Sequence, residues 1–138
     1  MSENTAPMVW PTLRARDARG LIRFLVEALG FEEAAVYGEG DHVGHAELRW
    51  PLGGGGIMLG SAGPAEDGSR GGDDPWALRP GTTGVYVVTD DPDALFARAV
   101  AAGATVIRQV EDTDYGSREF AVRDPEGNRW SFGTYRGA

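Results

Sequence analysis

His42 and His45, with Glu47 two residues further on, are the first side chains in this sequence that could do chemistry. Imidazole and carboxylate groups bind divalent metals and carry protons, so their spacing decides what they can do together. On a regular strand a spacing of three puts His42 and His45 on opposite faces, and they cannot chelate together without a bulge; His45 and Glu47 share a face. No third ligand accompanies that pair, which reads as a surface or packing contact. Asp90, Asp91 and Asp93 suggest acid–base work, but they stand where a helical pattern begins, and capping accounts for them better. The run "GGGG" at 53–56 could cradle a phosphate, yet no Lys-Ser/Thr pair or helix follows, so it reads as a permissive hairpin turn. No Ser-His-Asp order with a supporting motif stands out. The chain has no cysteine, which excludes disulfides, thiolate nucleophiles and thiolate-bound metal.

The elements that must position these groups come in two similar sets. From Asp17 to Leu29 apolar residues fall at 21, 22, 25, 26 and 29, the spacing of a helix, with Asp17 as its cap and Gly30 as its end. A second helix starts at Asp91, has Pro92 in the first turn, carries Leu95, Phe96, Ala99 and Val100, and stops at Gly103. Strand patterns cover 8–15, 31–38, 42–50 and 56–60 in the first half, and 83–89, 104–110, 117–123 and 128–135 in the second. Each half therefore reads βαβββ. A shift of 74 residues superposes Asp17 on Asp91, Arg49 on Arg123, Pro51 on Pro125 and Gly53 on Gly127. The expected organisation is one domain over 1–138, with module one at 8–60, a Gly-, Asp- and Pro-rich linker at 61–81, and module two at 82–136.

Composition narrows the class. With 41% hydrophobic residues the chain can bury a core, and no apolar run is long enough to span a bilayer. The segment "MSENTAPM" has neither a basic start nor an apolar stretch, so a cytoplasmic protein is expected. A net charge of -8 disfavours nucleic acid and favours a cationic ligand.

Tandem βαβββ modules, the opening "PTLRARDARGLIRFLVEALGF" and the closing "YGSREFAVRDPEGNRWSFGTY" resemble the vicinal oxygen chelate superfamily of glyoxalase I, extradiol dioxygenases and bleomycin resistance proteins. That resemblance implies an α+β fold in which each module curls its strands around a cavity while its helix covers the other face. It also implies, in the enzymes, a divalent metal held by four residues from the first and last strands of the two modules. Here those positions fall on Trp10, Gly84, Ile57 and Ser131, which supply no ligand set, so no metal or other cofactor is expected. The sequence is closest in kind to the metal-free bleomycin-resistance branch. It implies a homodimer that binds an antibiotic or related natural product without changing it. The alternative is a lyase, isomerase or dioxygenase with an altered or absent metal site, in which Arg118 and Tyr115 would serve electrostatics and proton transfer. A regulator with a vestigial cavity is a third possibility.

The resemblance marks Ser131 as facing the cavity, and strand alternation then gives the expected pocket. Trp10, Thr12 and Arg14 share one face of the first strand, and Gly84, Tyr86 and Val88 one face of the fifth. If "DPEG" is a four-residue hairpin loop, Phe120 pairs with Ser131, and Arg118 shares the face of Phe120. The expected ligand contacts are therefore Trp10, Thr12, Tyr86, Arg118, Phe120 and Ser131, with Trp76 of the linker able to close over them. Trp130 and Phe132 are expected in the core.

Overall fold

Asp17 and Asp91 cap the two helices. The Asp17 side chain accepts from the Gly20 N–H and that of Asp91 from the Ala94 N–H, each at 3.0 Å. Each satisfies a first-turn donor without a partner inside its helix, α1 (Ala18–Glu27) or α2 (Pro92–Ala101). Gly30 and Gly103 follow with φ of 87° and 91°, a left-handed conformation that strains any residue with a Cβ. A computed structural model describes residues 7–63 and 77–138. In it the first module adds β1 (Thr12–Ala15), β2 (Glu32–Glu39), β3 (His42–Arg49) and β4 (Gly56–Ser61). The second adds β5 (Gly84–Val88), β6 (Thr105–Asp112), β7 (Arg118–Arg123) and β8 (Arg129–Gly133).

The strands form two four-stranded mixed sheets, ordered β1-β4-β3-β2 and β5-β8-β7-β6. In each, the first strand runs parallel to the last and the remaining pairs are antiparallel. This is the α+β architecture of two βαβββ units. Leu13, Ala15, Ala46, Leu48, Ile57 and Leu59 bury one face of the first sheet together with Leu21, Ile22 and Leu25 of α1. Val87, Phe120, Val122, Trp130 and Phe132 do the same in the second, with Ala99, Leu95 and Phe96 of α2. The other face of each sheet, turned away from its helix, is the open face on which function must be sought.

The two cores are joined. Phe31 meets Trp130 with ring centroids 5.5 Å apart, and Trp50 meets Phe132 at 5.8 Å. Arg98 of α2 donates to the Glu27 and Val26 carbonyls, at 2.9 and 3.0 Å, and so satisfies acceptors left free at the C-terminus of α1.

The repeated turn between the last two strands of each module also ties the modules together. In module two, the buried Asp124 carboxylate accepts from the Glu126, Gly127 and Asn128 N–H groups at 2.8, 2.9 and 3.0 Å. It also accepts from Asn128 Nδ2 at 2.9 Å and Trp130 Nε1 at 2.8 Å. From the same turn, Glu126 accepts from the Arg16 and Asp17 N–H groups of module one at 2.7 and 2.9 Å. In module one, Trp50 occupies the place of Asp124, and its Nε1 donates 2.8 Å to the Val88 carbonyl of module two. Each turn thus reaches into the opposite module.

The length of these turns corrects the expected register. Arg123 pairs with Arg129, Ala121 with Ser131 and Phe120 with Phe132, so the loop holds residues 124–128, one more than a four-residue hairpin. Asn128 belongs to the turn because its Oδ1 accepts from the Thr83 N–H and its Nδ2 is held by Asp124. The glycine-rich turn of module one is one residue longer again, since Arg49 pairs with Gly56. The counterpart of Ser131 is consequently Met58, the partner of Thr12, and not the buried Ile57.

Candidate functional site on the open face of module two

A one-residue change of register turns every side chain of a strand to the opposite face. Phe120 is accordingly a core residue with no exposed surface, its ring 5.1 Å from Phe132 and 5.3 Å from Phe96. Arg118 shares its strand face, as expected, but that is the helix side. It donates to both carboxylate oxygens of Asp93, at 2.8 and 2.9 Å, and to Asp112 at 3.1 Å. Asp93 first and Asp112 second hold the Arg118 guanidinium charged, and Arg118 in turn lowers the pKa of Asp93. These two residues are withdrawn from the pocket. Trp130 and Phe132 are buried as expected.

Tyr86 and Ser131 do come together, as register partners on β5 and β8. With Gly84 they line a cavity of about 540 Å³ on the open face of module two. The same cavity is lined by Tyr115, Glu119, Arg129 and Tyr135; Arg129 and Tyr135 share the face of Ser131 whatever the turn length, whereas the four-residue turn would point Glu119 away. Glu119 faces it because Ala121, two residues on, pairs with Ser131.

The polar network around Glu119 is specific. Tyr115 donates to Glu119 Oε1 at 2.8 Å, and Tyr86 donates to the Tyr135 carbonyl at 2.7 Å. Tyr135 is held by its own N–H on Ser117 Oγ at 3.0 Å, and its ring meets that of Tyr115 edge-on at 6.0 Å. The Glu119 hydrogen bond raises the Tyr115 pKa, and burial raises that of Tyr86, so both phenols stay protonated donors near neutral pH. Gly133 makes room for the arrangement: a Cβ there would stand 2.6 Å from Glu119 Cγ and 2.7 Å from the Tyr86 hydroxyl.

Module one contributes less. Trp10 lies just before β1, half-buried, with its Nε1 donating 3.2 Å to the Pro7 carbonyl and its ring against Gly56. Neither Trp10 nor the exposed Thr12 lines this cavity or a second one of about 420 Å³ between the modules. That second cavity is a largely apolar crevice over Phe31 and Trp50, edged by the glycine-rich turn. Trp76 lies outside the described residues. His45 and Glu47 share a face as expected and are hydrogen-bonded at 2.8 Å. The alternation does break nearby, since Val43 and Ala46, three residues apart, are both buried.

A model of the "Glyoxalase/Bleomycin resistance protein/Dioxygenase superfamily" matches residues 8–132. The chain belongs to this superfamily. It is 35% identical to the uncharacterized protein Rv0887c of Mycobacterium tuberculosis, over 96% of this chain and 77% of that protein. Among solved structures it resembles TioX from Micromonospora sp. ML1, with a TM-score of 0.72 and 26% identity, covering 93% of this chain and 98% of TioX. A glyoxalase/bleomycin resistance protein from Streptomyces sp. CB03234 has the same fold at a TM-score of 0.59 and 22% identity, covering 88% of this chain and 94% of that one.

The superfamily's enzymes imply a divalent metal, and the donors present do not fit one. In the observed register the four strand positions carry Trp10, Met58, Gly84 and Ser131, which offer one neutral thioether and one hydroxyl. Neither is an adequate ligand for a catalytic divalent ion. Among the described residues no group of three or more His, Asp or Glu side chains could hold a metal ion. No helix among them is long and apolar enough to cross a membrane.

Proposed function

We propose that this protein binds a small aromatic natural product on the open face of module two and releases it unchanged, without a metal. The observation that carries this reading is the cavity itself: three tyrosine rings, a serine hydroxyl and one buried carboxylate converge where the superfamily's metal-binding enzymes would need imidazoles and carboxylates on the end strands. Aromatic walls with a few fixed polar groups suit a flat ligand. Calorimetric titration with aromatic antibiotics, followed by mass spectrometry of the recovered ligand, tests the reading. Intact ligand is expected; a changed product would move the protein to a metal-independent lyase or isomerase. Chelator is expected to leave the melting temperature unchanged, and one equivalent of tightly held divalent metal would defeat the reading.

The binding unit is proposed to be a homodimer. Tyr86, Tyr115 and Tyr135 are each more than two-fifths exposed on one chain, and Tyr37 of β2 is 62% exposed. A second copy laid over the open faces would cover these rings and enclose the cavity. Light scattering is expected to give twice the chain mass of 14.7 kDa; a monomer at micromolar concentration would contradict the arrangement.

A further inference from the structure

Glu119 is the feature of this cavity that ordinary aromatic binding does not require. Its side chain is only 9% exposed, and a carboxylate so enclosed is costly unless its oxygens are occupied. Oε1 accepts from Tyr115, and the Arg108 guanidinium approaches that same oxygen only to 3.8 Å while donating its Nε–H to Glu111. Oε2 accepts no hydrogen bond from the described residues. Among the described residues every side-chain polar atom sealed from solvent has a partner, so the unpartnered Oε2 keeps access to solvent, and Glu119 lines the cavity. It lies above Gly133, beside the Tyr86 hydroxyl. Tyr86, Tyr115 and Tyr135 line the same cavity, and two of their hydroxyl protons are already committed, that of Tyr86 to the Tyr135 carbonyl and that of Tyr115 to Glu119 Oε1.

An unfilled carboxylate oxygen flanked by aromatic rings is complementary to a cationic N–H group. The oxygen accepts a charge-assisted hydrogen bond while the ring faces stabilise the spread positive charge. The net charge of -8 would draw such a group in. Arg129 lines the far end of the cavity, with Ser131 between it and Gly133 along β8, so the cationic group belongs at the Glu119 end. We infer that the cavity selects ligands bearing a protonated amine, whose nitrogen is held by Glu119 Oε2 among Tyr86, Tyr115 and Tyr135. This rests on the reading of that face as a binding surface, and names the chemical group it recognises.

The test compares phenethylamine with phenethyl alcohol, its uncharged analogue, by NMR titration of the full-length protein at neutral pH, following the Glu119, Ser131 and Gly133 amides. The amine is expected to bind at least about tenfold more tightly than the alcohol, and Glu119→Gln to remove the difference. Tyr115→Phe, which leaves the carboxylate in place, is expected to keep a preference for the amine. Equal binding of amine and alcohol by the wild type would overturn the inference and leave the binding surface standing. Binding of neither probe would overturn both. The wild-type comparison holds even if Glu119→Gln fails to fold, and loss of the preference in Tyr115→Phe but not in Glu119→Gln would also count against the inference.

Discussion

Asp124→Ala is expected to destabilise the protein by about 3–5 kcal/mol, lowering its melting temperature by roughly 10–20 °C. Asp124 is 5% exposed, and its carboxylate serves three backbone N–H groups, the Asn128 amide and the Trp130 indole. Alanine removes every acceptor at once, and unfilled buried donors cost about 1–3 kcal/mol each where water cannot replace the lost partner. Some of the backbone donors lie near the surface and will find water, which keeps the total below a simple sum. Asp124→Asn should fall between, since one oxygen remains for the three backbone N–H groups but an N–H₂ in place of Oδ2 now confronts both the Asn128 and the Trp130 donors. Thermal unfolding followed by circular dichroism measures both, and a loss below about 1 kcal/mol for alanine would show that the turn does not depend on this side chain.

Phe120→Ala should cost a similar amount, about 3–5 kcal/mol, because it opens a cavity between Phe96 and Phe132 in a part of the core with no exposed surface. Ser131→Ala on the opposite face should change stability by no more than about 1 kcal/mol. The pair distinguishes the two possible registers of β7 against β8. If Phe120 lined the pocket, its removal would weaken ligand binding and spare the fold; in the observed register it weakens the fold. Denaturant unfolding of both variants reads the difference directly.

The two βαβββ units were legible because their signals are local. Asp17, Asp91, Pro92, Gly30 and Gly103 mark helix ends through backbone chemistry that operates over a few residues, and the apolar period within each helix needs no knowledge of what it packs against. Strand faces are different. They depend on a count across a turn, and Asn128 breaks the count by behaving as a turn residue at the edge of a strand pattern. Its side-chain partners, Thr83 and Asp124, lie 45 and 4 residues away, and the first of these contacts exists only once β5 and β8 of module two are assembled. That single residue sent Phe120 to the wrong side and kept Glu119 out of view. The gapless 74-residue shift put Ile57 where Met58 stands, because the glycine-rich turn is one residue longer than its counterpart in module two. Tyr86 and Ser131 were found because the resemblance marks the cavity side of the first and last strands through Gly84 and Ser131, and alternation within one strand needs no count across a turn. Tyr115 lies outside every strand pattern and was singled out only for proton transfer; Tyr135, at the end of the 128–135 pattern, shares the face of Ser131 but was not singled out.

Glu126 hydrogen-bonds backbone groups 109 and 110 residues earlier in the chain, nearly its whole length. Contacts of that separation form only after most of the chain has been gathered, since the entropy of closing so large a loop is lost before the bonds can offset it. The sheet within each module needs much shorter closures, so the modules order first and the Glu126 contact closes late. Interactions absent from the folding transition state leave the folding rate almost unchanged and act on the reverse step. The Glu126 contact between the modules therefore acts on how long the native protein lasts between openings, and has little part in how quickly it is reached.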